Sequence, residues 1–125
     1  MTAPARFSVL VVDDEPSVLV TYLLILQQQG YDVTAVATSA EALQALSRRS
    51  FRLLLCDLSL ERQQDGFEVI AAARARCPAT RCVLLTGFAG KDVGDRALQQ
   101  GVTVLFKPIE IEEFLRIIAR LAQEK

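Results

Sequence analysis

Four hydrophobic runs in this chain end in polar groups that together could handle a phosphoryl group. Phe51–Cys56 is a leucine-rich run ending in Asp57. Val9–Val12 ends in Asp13 and Asp14, Cys82–Leu85 in Thr86 and Gly87, and Val102–Phe106 in Lys107 and Pro108. Runs of this kind suit buried parallel strands, whose carboxyl ends form the edge where open α/β sheets bind ligands. Three carboxylates on one rim repel one another unless a cation lies between them, and clustered hard oxygens with room for water suit Mg²⁺. A carboxylate can also become an acyl phosphate, which makes Asp57 the candidate nucleophile. Lys107 would pair with one phosphoryl oxygen, Thr86 would donate a hydrogen bond to another, and Gly87 would leave space beside them.

Each group alone has a plainer reading. Asp14 is placed to cap a helix and Asp13 to be solvated, Thr86-Gly87 reads as a strand-to-loop turn, and Lys107 as a surface lysine. The case lies in the conjunction, because four strand ends carrying matched chemistry by accident is improbable.

The elements needed to position these groups can be read along the chain. Phe7–Val12 is the first strand. A helix follows with Pro16 in its first turn, running to about Gln29, where Gly30 supplies the stop. Tyr31–Val36 is a second strand, and Thr38-x-x-Glu41 has capping-box spacing for a short helix to about Leu46. Phe51–Cys56 leads into a polar loop, Leu58–Gln64, and Asp65-Gly66 begins a third helix that ends before Pro78. Thr80–Leu85 is the fourth strand. Gly90–Gln100 predicts a weak helix with Gly94 inside it and only Val93, Ala97 and Leu98 as an apolar stripe. The fifth strand follows Gly101. A last helix from about Glu110 to Ala122 carries Ile111, Phe114, Leu115, Ile118 and Leu121 on one face. Strands alternating with helices over short loops predict an α/β fold with a doubly wound, five-stranded parallel sheet.

Length and composition fit that reading. A chain of 125 residues is expected to form one domain, with about 7–122 as its structured core. An apolar fraction of 51% suits a sheet covered on both faces. A net charge of −1 gives no footprint for nucleic acid, and no apolar run reaches the length of a membrane span, so a cytoplasmic location is expected. The chain has no histidine, which excludes Ser-His and Cys-His catalysis and a phosphohistidine of its own. Cys56, Cys77 and Cys82 form no CxxC pair, and Cys56 and Cys82 read as small buried hydrophobes.

Taken in order, Val11-Val12-Asp13-Asp14-Glu15-Pro16, Leu55-Cys56-Asp57, Leu84-Leu85-Thr86-Gly87 and Phe106-Lys107-Pro108 resemble the receiver domain of two-component response regulators. The resemblance covers essentially the whole chain. It implies a flavodoxin-like (βα)5 fold with strand order 2-1-3-4-5. It also implies that Asp57 receives a phosphoryl group from a sensor histidine kinase or a histidine phosphotransfer protein. Asp14, Asp57 and the Ser59 carbonyl would ligate Mg²⁺ directly, Asp13 largely through water, and the Lys107–Pro108 bond would be cis. Such a domain is a signalling module rather than an enzyme, catalysing only its own phosphorylation and dephosphorylation. It would act on a downstream target that these residues do not name, and a homodimer is compatible with it.

The chain departs from that pattern in three places. The loop after Asp57 lacks the usual proline and looks one residue longer. The stretch from Gly101 to Lys107 looks one residue shorter. Val104 stands where a Tyr or Phe usually moves with the position of Thr86, so the output is expected to be weak or to use another residue, Phe106 or Phe88. On the first helix Val18, Tyr22, Ile25 and Leu26 share the inward face, leaving Val20 and Leu24 outside as an apolar patch for a docking partner.

Competing readings fit less well. A haloacid-dehalogenase-like phosphohydrolase would want two acids separated by one residue, which Asp13-Asp14-Glu15 does not offer. A flavin or nucleotide carrier would want a glycine- or hydroxyl-rich loop after the first strand, where this chain has acids hostile to phosphate. A degenerate receiver used only for protein contacts would not need the intact acid set.

Overall fold

Alternation of strand and helix holds throughout the computed structural model, which describes residues 7–60, 65–87 and 90–123. The elements are β1 (Ser8–Val12), α1 (Pro16–Gln28), β2 (Asp32–Val36), α2 (Ser39–Arg48), β3 (Leu53–Asp57), α3 (Asp65–Arg76), β4 (Arg81–Thr86), α4 (Lys91–Gln99), β5 (Thr103–Phe106) and α5 (Ile111–Gln123). All strands pair in parallel in the order β2-β1-β3-β4-β5, as expected.

Strand period sorts the core into two layers. Leu10, Val12, Leu54, Cys56 and Leu84 face one side, where they pack with Ala42 and Leu46 of α2, Phe67, Ile70 and Ala73 of α3, and Val93 and Ala97 of α4. Val9, Val11, Leu53, Leu55, Val83 and Leu85 face the other, against Tyr22 and Leu26 of α1 and Phe114 and Ile118 of α5. β1 and β3 are buried on both faces, which explains their unbroken apolar runs. The register matches Val12 with Cys56, Asp57 with Leu85 and Thr86 with Phe106, so the polar strand ends reach one edge together.

Local signals hold at several helix ends. Thr38 is the N-cap of α2 and accepts from Glu41 N at 3.0 Å, while the Glu41 carboxylate accepts from Ala37 N and from the Thr38 hydroxyl, both at 3.2 Å. Gly30 follows α1 at φ +92°, a conformation that glycine adopts without strain. Cys56, Cys77 and Cys82 are free thiols.

The structure corrects other expectations. Asp14 does not cap α1: the N-cap is Glu15, which makes no side-chain cap, and Asp13 instead accepts from Glu15 N at 3.0 Å. α2 runs two residues past Leu46, to Arg48, whose positive charge suits the last turn of a helix. Leu58 and Leu60 are buried, so the start of the expected polar loop belongs to the core. The rest of that loop, 61–64, and with it the extra residue, lies outside the described residues. Leu98 is 80% exposed, so Val93 and Ala97 are the residues α4 buries, and Ile111 likewise faces outward at the start of α5. No helix among the described residues is long and apolar enough to cross a membrane.

Candidate functional site

β1, β3, β4 and β5 deliver Asp13, Asp57, Thr86 and Lys107 to the same edge because each strand ends one residue before or at its polar group. Asp13 N donates to Val36 O, Leu58 N to Leu85 O and Lys107 N to Thr86 O, so backbone bonds pin the chain on both sides of the site. The Lys107–Pro108 bond is cis, as the resemblance implies.

Carboxylate oxygens of Asp13, Asp14 and Asp57 lie within 4.8 Å of one another. Adjacent residues on a regular strand would point apart, but the turn after Val12 brings both aspartates to one hollow. The plainer reading of Asp13 as a solvated side chain fails: it is fully buried, while Asp14 is exposed. Lys107 Nζ bridges Asp13 Oδ2 at 2.9 Å and Asp57 Oδ2 at 3.3 Å. Ser59 N donates to Asp57 Oδ1 at 3.2 Å, which fixes the carboxylate plane and places Ser59 beside it. Thr86 is buried at the next strand end. A Cβ on Gly87 would meet no atom of the described residues within 4 Å.

The electrostatics follow from this crowding. Burial pushes the Asp57 carboxyl above the usual range; Lys107 opposes that and Asp13 adds to it. Burial alone would lower the Lys107 ammonium, but its bond to Asp13 and its attraction to Asp57 outweigh it and hold it above the ordinary value. One ammonium offsets one of three carboxylates, leaving the hollow anionic. Its hard oxygen donors fit a divalent cation such as Mg²⁺, and no softer ligand competes among them.

Two residues gain a role that the sequence reading missed. Gly66 reads there only as a helix start, yet a Cβ on it would lie 2.6 Å from Asp57 O and 2.9 Å from Leu58 Cα. Its N–H donates to Leu58 O at 2.8 Å, so α3 abuts the backbone on either side of the Asp57 carbonyl. The Asp-Gly pair at the head of an apolar helix was the available signal. Tyr22 reads as a core residue and is one, stacked on Phe114 with ring centroids 4.9 Å apart. Burial raises its phenol, and the charges of Lys107, Asp13 and Asp57 all reach it.

Comparisons with known proteins show the family and the fold. The family model of the response regulator receiver domain matches residues 9–119. The alginate biosynthesis transcriptional regulatory protein AlgB of Pseudomonas aeruginosa is 33% identical over 119 residues, covering 94% of this chain and 26% of that protein. The chain thus spans about a quarter of the length of that regulator. An uncharacterized 14.6 kDa protein of Leptolyngbya boryana is 31% identical, with 94% and 92% of the two chains covered. Among solved structures, a CheY-like receiver domain protein from Methanospirillum hungatei superposes with a TM-score of 0.87 at 26% identity, covering 94% of each chain. The non-phosphorylated HemR receiver domain from Leptospira biflexa gives 0.88 at 25% identity, with 96% and 97% covered.

Proposed function

The chain belongs to the response regulator receiver family, and from that premise we propose that it is a cytoplasmic phosphorelay module modified on Asp57. The observation that carries this reading is the placement of Asp57: a half-buried carboxylate between the Lys107 ammonium and two further aspartates, at the open end of β3. A carboxylate oxygen of Asp57 attacks the phosphorus of a partner's phosphohistidine. The P–O bond forms, the P–N bond breaks, and the imidazole leaves with the electron pair. Asp13, Asp14 and Asp57, with the Ser59 carbonyl, would hold Mg²⁺, which when bound offsets the charge of the phosphoryl oxygens. Lys107 pairs with one of those oxygens and the Thr86 hydroxyl donates to another, while Gly87 puts no side chain in the approach. The chain acts as a signalling domain, and its chemistry is confined to this residue.

Incubation with acetyl phosphate and Mg²⁺, followed by intact mass, tests the assignment. Wild type should gain one phosphoryl group and Asp57→Asn none; a gain retained by the variant would refute the site.

The partner would dock on α1, where Val20 and Leu24 are 51% and 52% exposed beside the rim. Changing both to glutamate should slow transfer from a kinase or phosphotransfer protein but spare acetyl phosphate. Equal loss with both donors would count against docking there. For output we assign Phe106 the part that an aromatic at Val104 would play. Thr86 and Phe106 are register partners, and by alternation both lie on the α4 side of the sheet, where Val104 packs inward and Phe106 stays 58% exposed. Phe88, the other candidate, lies outside the described residues. Movement of Thr86 toward the added charge would shift Phe106 and α4 together. Amide exchange in α4 that is unchanged on phosphorylation would overturn this route.

A further inference from the structure

The rim around Asp57 carries a positive charge of its own, and that charge sits on the acids a metal would need. Asp13 Oδ1 accepts from Glu15 N at 3.0 Å and Asp13 Oδ2 from Lys107 Nζ at 2.9 Å. Asp57 Oδ1 accepts from Ser59 N at 3.2 Å and Asp57 Oδ2 from Lys107 Nζ at 3.3 Å. Every carboxylate oxygen of these two aspartates therefore has a donor on it, and one ammonium serves two of the four. A divalent cation would draw on the same two carboxylates together with Asp14, each of which offers an oxygen within 4.8 Å of the others.

The two ends of this bridge are unequal. Asp13 has no exposed side-chain surface, and its contact with the ammonium is the shorter. The Asp57 side chain borders solvent, at 14% exposure, and its contact is the longer. A fully buried carboxylate that loses its counter-ion is strongly destabilised, whereas one that borders water is less so. The backbone of Lys107 is held by its N–H on Thr86 O at 2.7 Å, so the flexible four-carbon stem is the part through which the ammonium can change partners. When the bridge opens, Asp57 is the end that yields.

We propose that Lys107 is a tethered competitor for the cation of this site, an inference that rests on the reading of Asp57 as a metal-assisted phosphoryl acceptor. An ammonium 3.3 Å from Asp57 Oδ2 repels a dication at that carboxylate, and the repulsion is strong where burial lowers the effective dielectric. Lys107 also takes up a lone pair that the dication would use. The side chain that keeps the acids together without metal is thus the one that keeps the metal weakly bound. As the site fills, Lys107 releases Asp57, stays on Asp13 and is left with a donor for a phosphoryl oxygen.

The test is titration of the unphosphorylated protein with MgCl₂, followed by amide shifts in NMR spectra, with ionic strength held constant by KCl. Lys107→Gln removes the charge and keeps a donor for Asp13; Lys107→Met removes both. The Kd for Mg²⁺ should fall at least about fivefold in each variant. The rise in melting temperature on adding Mg²⁺ should also be larger for both variants than for wild type, a comparison that holds even where a variant without metal is only marginally stable. A Kd in Lys107→Gln equal to or weaker than that of wild type would overturn the competition and leave the metal site standing. Tightening in Lys107→Met alone would overturn it too, because the hydrogen bond and not the charge would then be the obstacle. If neither wild type nor Lys107→Gln binds millimolar Mg²⁺, the metal-assisted reading of the site fails, and this inference with it.

Discussion

α3 and α4 cover the same face of the sheet, yet they are attached to it in opposite ways. α3 inserts Phe67, Val69, Ile70 and Ala73 into the core, and at its first turn Gly66 comes so close to Asp57 O that no side chain fits between. α4 contributes only Val93 and Ala97, and its own glycine, Gly94, has nothing within 4 Å of where a Cβ would stand. Much of what holds α4 comes from arginine side chains: Arg74 of α3 on the carbonyls of Gln100 and Gly101, and the Arg96 guanidinium 4.1 Å from the Phe67 ring centroid. The site therefore has a closely packed side, set against the backbone of Asp57, and a lightly packed side next to Thr86 and Phe106. On the proposed reading, a module that holds one carboxylate in line and still changes shape needs both.

The largest test of this contrast is Gly66→Ala. A methyl 2.6 Å from Asp57 O forces β3 and α3 apart. Overpacking of this kind costs about 1–3 kcal/mol, and the melting temperature should drop accordingly. Phosphorylation by acetyl phosphate should slow as well, because the carboxylate moves with its backbone. A fully stable Gly66→Ala that is phosphorylated normally would show that the close approach is unimportant. Next in size is Arg74→Ala, which removes hydrogen bonds from a charged donor to two carbonyls at the end of α4. Such bonds contribute about 1.5–3 kcal/mol each to local order, part of which water would replace here. Amide exchange should therefore rise in α4 and at the start of β5 but not in α3.

What could be read in the sequence follows the same division. The strand ends were legible because a buried parallel strand must be continuously apolar and its carboxyl edge is where polar groups gather; β1, β3 and β4 obey both rules. Capping of α2 was legible from Thr38 and Glu41 because the bonds are local. Less legible were features that depend on where two distant segments meet. Asp14 looked like a cap until the turn placed Asp13 under Lys107, across 94 residues of sequence. Leu58 and Leu60 looked like loop residues because burial after a strand has no periodic signature. Leu98 sat at a plausible stripe position, but a stripe three residues wide does not define a helix face. Gly66 showed its turn chemistry and hid its reason.

A smaller effect comes from the charge that the closely packed side holds. Burial places the folded-state pKa of Asp57 above the unfolded 3.8, so between those two values the folded chain binds more protons than the unfolded one. Stability from this group therefore falls as pH rises through that window and stays lower above it. Asp57→Asn removes the dependence. Without Mg²⁺ it should melt higher than wild type near neutral pH, and the gap should close as pH falls below the unfolded value. Lys107 behaves in the opposite sense. Its folded pKa lies above 10.5, so its contribution is complete below that value and is lost as pH rises past the folded one. A variant no more stable than wild type at neutral pH would mean that the carboxylate is not strained by burial.

The smallest expected change sharpens the contrast most. Gly94→Ala adds a methyl into open space on a helix with little else to hold it, and alanine favours a helix interior over glycine by about 0.5–1 kcal/mol. On a helix packed like α3 such a gain would only raise the melting temperature. On α4 it should also damp the response, because a helix stabilised in its resting form yields less to the shift of Thr86 and Phe106. The two effects can be measured apart: melting of the unmodified protein should rise slightly, phosphorylation of Asp57 by acetyl phosphate should be unchanged, and the increase in α4 amide exchange on phosphorylation should shrink. If the melting temperature rises while the exchange response stays full, α4 moves as a rigid body about its Arg74 tie rather than by loosening along its length.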